Sequence, residues 1–173
     1  MNTGDLAWVL ISAALVWLMT PGLALFYGGL GEKRNLLHTM FVPVLIIGIA
    51  TLVWFFAGYS LAFGGSGDVI GNLNHILMFD VSFNRSSRGL TIPDGAFALF
   101  QGMFPIITAA IITGSVIGRV RIKAMIVFMI LWLIVIYSPL AHMVWGGGFL
   151  AKLGAIDFAG GTCLLYTSPS PRD

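Results

Sequence analysis

The sequence predicts an all-α protein, a polytopic bundle of transmembrane helices. Of its 173 residues, 58% are hydrophobic and only 9% are charged, whereas about a quarter of the residues of a soluble domain are charged. The apolar residues form long blocks rather than an amphipathic pattern, as a lipid environment requires. The charged residues lie between these blocks, which is typical of membrane spans joined by loops.

Four runs without Asp, Glu, Lys or Arg are long enough to cross a bilayer, which takes about 20 residues. They cover residues 6–31, 39–67, 95–118 and 124–151. Each contains a proline, which membrane helices tolerate where neighbouring groups satisfy the freed carbonyl. The fourth run exceeds one span, so we expect its glycine-rich end, 146–148, to lie outside the helix. Residues 68–93 are polar and predict an extramembrane loop, with a short helix near residues 74–78.

The basic residues predict the orientation of these spans. Lys33 and Arg34 lie between the first and second runs, and Arg119, Arg121 and Lys123 lie between the third and fourth. Short basic loops remain cytoplasmic. We therefore expect a multi-pass protein of the cell (inner) membrane with its N-terminus outside.

The sequence gives no indication of an enzyme. It contains no P-loop, GxSxG, GxGxxG or HExxH motif, and no cofactor is expected. The net charge of +2 is too small to suggest a nucleic-acid partner. The single cysteine, Cys163, and three histidines far apart in sequence give little support for a metal site. We interpret His142, near the outer end of the fourth run, as a structural hydrogen-bonding residue.

Three aromatic residues are expected at a similar depth near the outer surface. Phe100 and Phe104 are four residues apart and share one helix face early in the third run. Trp145 ends the fourth span, which runs outward. Aromatic ring faces attract cations by about 0.5–2 kcal/mol, so the three side chains could hold a small cation. The alternative is an ordinary interfacial aromatic belt, which periodicity alone favours.

Asp157 precedes a short segment, 158–162, with the composition of the start of a fifth span. An acid at a helix N-terminus can cap the helix, which contributes about 1 kcal/mol. It can also lower the cost of bringing a cation to the membrane mouth. From the sequence alone, the capping role is favoured.

Residues 163–173 differ abruptly in composition from the membrane runs, with Pro and Ser prominent. The segment is also similar to a translated sequencing adapter. We therefore expect it to be a non-native tail, excluded from fold reasoning, and the transmembrane domain to cover residues 1–162. The alternative is a natural polar tail.

Several blocks, in order, resemble the Amt/Mep/Rh ammonium transporter family. They are LMTPGLALFYGGL at 18–30, GYSLAFG at 58–64, FQGMF at 100–104, SPLAHMVWGGG at 138–148 and GAIDFAGGT at 154–162. The resemblance implies an α-helical fold of eleven spans, of which this chain supplies the first four and the start of the fifth. It also implies a homotrimer in the lipid bilayer, in which each subunit has its own narrow pore for ammonium or ammonia.

The resemblance also assigns roles to particular residues. Phe104 and Trp145 would flank an outer ammonium recruitment site, with Phe100 beside them, and Phe104 would form part of a hydrophobic gate below it. Asp157 would hold the outer mouth in shape and favour a cation. The substrate-binding residues implied are therefore Phe100, Phe104, Trp145 and Asp157.

The chain departs from the family pattern at its end. The first of two pore histidines belongs where this sequence has Leu165, and the second would lie beyond the last residue. We therefore expect the chain by itself to transport nothing. The alternative function is an ammonium sensor that carries a signalling domain further along. A PII-type signalling protein is a candidate cytoplasmic partner in either case.

Overall fold

The computed structural model describes residues 1–30, 35–116, 119–158 and 160–165, without the side chain of Leu165. Every regular element in these ranges is helical, which confirms the predicted all-α class. Lys33 and Arg34 lie outside the described residues, as does most of the predicted tail, residues 166–173.

The helices follow one another along the chain as continuous or composite spans. The bounds are α1 Thr3–Leu30, α2 Leu36–Val53, π turn Trp54–Gly58, α3 Tyr59–Phe63, 3-10 turn Ile76–Met78, α4 Asp94–Val116, α5 Ile122–Trp132, π turn Leu133–Tyr137, α6 Ser138–Val144, α7 Phe149–Lys152 and π turn Gly161–Leu165. The first span is α1 and the third is α4. The second span joins α2 and α3 through a π-helical turn, and the fourth joins α5 and α6 in the same way.

Four of these segments are long and apolar enough to cross a membrane: Thr3–Leu30, Leu36–Phe63, Asp94–Val116 and Ile122–Lys152. They confirm the four predicted spans, with boundaries shifted by a few residues. The helix expected near 74–78 is only a 3-10 turn, because Leu77 and Met78 adopt φ values of 56° and 58°, which a right-handed helix excludes. As predicted, 146–148 lie outside α6, and Gly147 turns the chain with a φ of 89°.

The third span, α4, forms the centre of the bundle. It packs against α1, α2 and the turn Gly161–Leu165. In its apolar 18-residue stretch, 61% of the residues are buried, compared with 17% in that of α1. Gly102 permits a close approach, because a Cβ there would lie 2.8 Å from Trp54 Nε1. That indole N–H donates to the backbone oxygen of Ala98 at 3.1 Å. The central helix therefore fixes the depth of the residues that it carries.

Two π turns interrupt the second and fourth spans. The amides of Tyr59 and Ser138 donate to the carbonyls five residues earlier, Trp54 and Leu133. In the fourth span the wide turn ends two residues before Pro139, which has no N–H to continue an α-helical ladder. The Ser138 hydroxyl also donates to the Leu133 carbonyl at 2.8 Å. The wide turn therefore changes the direction of the outer part of the span, and the helix continues without a break.

Candidate functional site

The aromatic residues expected at the outer end form one contiguous cluster. The rings of Phe100 and Phe104 lie 5.1 Å apart at 83°, one helical turn apart on α4. The Trp145 ring, at the end of α6, lies 5.6 Å from Phe104 at 57°. All three side chains are half-buried. The central helix and the end of the fourth span thus bring together the three residues that the sequence singled out.

Trp145 is held in place by hydrogen bonds at both its backbone and its ring. Its amide donates to the Ala141 carbonyl at 2.8 Å, because it continues the last turn of α6. Its indole Nε1–H donates to the backbone oxygen of Asp157 at 2.9 Å. The N–H edge of the ring is thereby occupied, and the orientation of its faces is fixed by a residue beyond α7.

The carboxylate of Asp157 has a separate role. Its Oδ2 accepts hydrogen bonds from the amides of Thr162 at 2.9 Å and Cys163 at 3.2 Å. These amides belong to the turn Gly161–Leu165, so the geometry is that of an N-terminal cap. Asp157 lies beside the aromatic cluster, but it meets the cluster through its backbone oxygen.

Apolar side chains lie beneath the cluster along the helix axes. Ile107, Val144 and Leu164 are buried together, and Phe104 and Trp145 pack against them. The hydroxyl of Thr108, one turn further along α4, donates to the Phe104 carbonyl at 2.6 Å. The site therefore changes within one helical turn from half-exposed rings to an apolar interior.

A second aromatic group at the same end of the bundle holds a cation of the chain itself. The guanidinium carbon of Arg88 lies 5.1 Å from the Phe63 ring centroid and 5.0 Å from that of Phe97. The Arg88 side chain also donates to the Phe63 carbonyl. This Arg88 site was missed by sequence reasoning, because residues 63, 88 and 97 meet only through the fold.

His142 ties the fourth span to the loop that follows the second. The residue is fully buried, and its Nδ1 and Nε2 lie 2.9 Å and 2.8 Å from the carbonyl oxygens of Ala62 and Gly67. The tautomer decides which carbonyl receives the N–H. This geometry is that of the structural hydrogen-bonding residue expected from the sequence.

The same loop is fixed again at α7. The amide of Phe149 donates to the Asp68 carbonyl at 2.8 Å, and the Lys152 ammonium binds the Asp68 carboxylate. A hydrogen bond from Lys152, together with its charge, holds the pKa of Asp68 below its usual value. Across the described ranges, no three His, Cys, Asp or Glu residues group so as to hold a metal ion.

Gln101 is another polar residue that sequence reasoning missed. It lies between Phe100 and Phe104 on α4, and its side-chain Oε1 is buried without a hydrogen-bond partner among the described residues. The Thr20 hydroxyl on α1 is in the same condition. The only signal in the sequence is one amide in an otherwise apolar stretch.

Comparisons of the sequence and of the structure with known proteins indicate the same family. A model of the Ammonium Transporter Family matches residues 7–168. An ammonium transporter of Bacillus subtilis is 43% identical over 168 residues, which cover 97% of this chain and 42% of that protein. The structure of the G343C mutant of Candida albicans Mep2 superposes with a TM-score of 0.87 at 37% identity, over 95% of this chain and 36% of that one. A structure described as a Sensor Amt Protein gives a TM-score of 0.82 at 27% identity, over 92% and 40%. The chain thus spans about two fifths of the length of these proteins.

Proposed function

The chain belongs to the ammonium transporter family, and from this membership we propose that its outer end is part of a recruitment site for ammonium. The site would lie at the mouth of a narrow pore for ammonium or ammonia. The family is one of multi-pass membrane transporters, which confirms that the chain is not an enzyme. The residues proposed to form this substrate site are Phe100, Phe104, Trp145 and Asp157.

The observation that carries this proposal is that the Phe104 ring contacts both the Phe100 ring and the Trp145 ring. Ring faces attract a cation by about 0.5–2 kcal/mol each, more where water is excluded. The N–H edge of Trp145 is bonded elsewhere, so the ring offers its face. Arg88 against Phe63 and Phe97 is an example of the same chemistry in the same chain. Asp157 contributes indirectly, because its backbone oxygen orients Trp145.

The apolar interior below the rings supports two separate steps, in which the ion is captured at the rings and the neutral molecule passes beyond them. An ion that leaves the rings for the apolar side chains of Ile107, Val144 and Leu164 loses its hydration, which is costly for a charge. Neutral ammonia meets a much smaller cost. We therefore propose that ammonium is held at the rings and that ammonia passes beyond them.

The orientation and the partners belong to the same proposal. The N-terminus would lie outside, with the loops near Lys33 and Arg119 in the cytoplasm. The complete protein would be a homotrimer, and a PII-type signalling protein would bind it from the cytoplasm. The chain spans about two fifths of the length of its relatives, so the activity of the whole protein is part of this proposal.

A chimeric transporter tests the proposal. Residues 1–162 would replace the matching segment of the Bacillus subtilis transporter, and uptake of labelled methylammonium would be measured in cells that lack their own transporters. We expect uptake, and we expect Trp145→Leu to weaken apparent affinity by up to about thirtyfold. The matched control is Trp8→Leu, because Trp8 is 71% exposed on α1 and should leave affinity unchanged.

Two outcomes would contradict the proposal. One is a chimera that reaches the membrane in normal amounts and takes up no substrate. The other is a Trp145→Leu chimera with the same affinity as the Trp8→Leu control. The aromatic cluster would then be an interfacial belt.

An ammonium sensor is the second candidate function. The likeness to the Sensor Amt Protein structure favours it, since the match covers 92% of this chain. The two candidates differ in the segment beyond the last span of the complete gene product. A signalling domain there, together with a chimera that binds but does not carry methylammonium, would favour the sensor.

A further inference from the structure

Three basic side chains form an exposed patch at the end of the bundle opposite the aromatic cluster. Residues 117–121 join α4 to α5, so the third and fourth spans are connected by a very short loop. Arg119 and Arg121 belong to this loop, Lys123 is the second residue of α5, and all three are exposed. Each base therefore lies within three residues of a helix end, at the depth where lipid headgroups begin. We call these three residues the basic patch.

The basic patch has no acidic residue near it in the described part of the chain. The acids of the described ranges all lie at the other end of the bundle, in the outer loops or at the outer helix ends: Asp5, Asp68, Asp80, Asp94 and Asp157. The ion pair found in these ranges joins Lys152 to Asp68 at that other end. Arg121 is the N-cap residue of α5, and its side chain makes no capping hydrogen bond. The charges of the patch are therefore available to an anion from outside the chain.

An exposed apolar stripe continues from the basic patch along α5. Val127 and Leu131 follow Lys123 at intervals of four residues, which places the three side chains on one face of the helix. Val127 is 58% exposed and Leu131 is 57% exposed. On a helix that crosses the membrane, such a face suits the acyl chains of lipids. The chain thus presents basic groups at headgroup depth directly above an apolar surface, which is complementary to a phosphate above an acyl chain.

We infer that the basic patch and this stripe form a binding site for an anionic phospholipid. The headgroup pairs with Arg119, Arg121 and Lys123, and one acyl chain lies along Val127 and Leu131. Basic residues at the membrane surface attract anionic lipids, whereas a zwitterionic headgroup has no net charge. On the proposed orientation the patch faces the cytoplasm, where anionic lipids are concentrated. The lipid site lies away from the aromatic cluster and does not depend on ammonium binding.

Quenching of a fluorescent label by a nitroxide lipid tests this site directly. The full chain, with Cys163→Ala and a bimane label attached at Val127→Cys, is placed in phosphatidylcholine vesicles. These vesicles contain a small fraction of nitroxide-labelled phosphatidylglycerol or of phosphatidylcholine with the same labelled chain. We expect the association constant of phosphatidylglycerol at this position to be at least about fivefold higher, since one base near the membrane surface contributes about that factor.

Substitution of the bases separates charge from apolar contact. In Arg119→Gln/Arg121→Gln/Lys123→Gln the two lipids should quench equally, and the midpoint of thermal unfolding in detergent should stay unchanged, because all three side chains are exposed. Lys123→Gln alone should lower the preference by up to about fivefold. The matched control is Arg85→Gln, which removes an exposed arginine from the loop between the second and third spans and should keep the preference.

Salt provides a second control on the same label. Raising the NaCl concentration from about 0.1 M to about 1 M shortens the screening length from about 10 Å to about 3 Å. The preference for phosphatidylglycerol should therefore weaken, because the bases are exposed.

Three results would overturn the lipid site. Equal quenching by the two lipids in the unsubstituted patch would leave the bases to water or to an acidic protein. A preference that persists in the triple variant would show that these bases do not select the lipid. The third result compares Val127→Cys with a label at Leu15→Cys, which is 60% exposed on α1. Quenching at Leu15→Cys without quenching at Val127→Cys would mean that protein, such as a second copy of the chain, covers the stripe.

Discussion

Asp157 contributes to the outer end of the bundle through two different groups. Its backbone oxygen receives the indole N–H of Trp145, and its carboxylate receives two amides of the turn Gly161–Leu165. The first contact depends on the path of the backbone and not on the side chain of residue 157. Substitution at this position therefore tests the capping role separately from the orientation of the tryptophan.

We expect Asp157→Asn to keep most of the stability and Asp157→Ala to lose about 1 kcal/mol. Asparagine retains an oxygen that can accept the amides of Thr162 and Cys163, and Asn and Asp are similar as caps. Alanine leaves both amides without this acceptor. The measurement is thermal unfolding of the purified chain in detergent, followed by circular dichroism. An Asn variant as unstable as the Ala variant would show that the negative charge is needed, contrary to this prediction.

At the scale of elements, the segment 64–72, which we call the outer strap, connects the helices at the outer end of the bundle. The Asn72 amide donates to the Gly64 carbonyl, which joins the two ends of the strap. The Gly71 amide donates to the carbonyl of Leu61, which joins the strap to α3. His142 binds it to α6, and the Phe149 amide binds it to α7. The strap therefore couples the second span to the end of the fourth, where Trp145 lies.

We predict that His142→Ala destabilises the chain much more than His38→Ala does. Removing the imidazole takes the N–H donor away from the carbonyls of Ala62 and Gly67 in a fully buried site. The tautomer present serves one of these two carbonyls, and a buried carbonyl left without a partner costs about 1–3 kcal/mol. His38 is exposed, so its loss should change stability by less than about 0.5 kcal/mol.

Thermal unfolding in detergent compares the two histidine variants directly. Equal midpoints would mean that the buried imidazole contributes nothing to the strap. Hydrogen exchange at the Phe149 amide, which donates to the Asp68 carbonyl of the strap, provides a second measurement, and faster exchange in His142→Ala is expected there.

For the whole molecule, the distribution of basic residues predicts which loops face the cytoplasm. Asn35 follows the first basic loop and Asn84 lies in the long loop between the second and third spans, and both are exposed. In a Cys163→Ala background, a membrane-impermeant maleimide added to intact cells should label Asn84→Cys and spare Asn35→Cys. The reverse pattern of labelling would invert the orientation.

The spans were predictable because lipid imposes long apolar runs, which are visible in the sequence without any knowledge of contacts. The pairing of Phe100 with Phe104 was predictable for a similar reason, since helical spacing puts them on one face. The bond from Trp145 to Asp157 was not predictable, because it depends on the path of the intervening turn. The partners of His142 lie 80 and 75 residues away, and local periodicity contains no information about such pairs.

Composition likewise could not predict which helix lies at the centre of the bundle. All four spans have similar hydropathy, between 1.8 and 2.4, because lipid and protein interior are both apolar. Only packing shows that α4 is enclosed while α1 exposes Trp8 and other large side chains. The unpaired oxygen of Gln101 belongs to the same class of feature, since burial and partners exist only in the fold.

The π turn Leu133–Tyr137 has a consequence for how homologous sequences are aligned to this one. A turn closed by a bond over five residues uses one residue more than an α-helical turn, and each residue of an α-helix advances by about 100°. The stretch from Ser138 to Trp145 is therefore rotated by about that angle relative to a straight continuation of α5. A relative with a straight helix would need a one-residue gap here for its aromatic residue to face the same direction. An ungapped alignment would match Trp145 with a position on a different side of the helix.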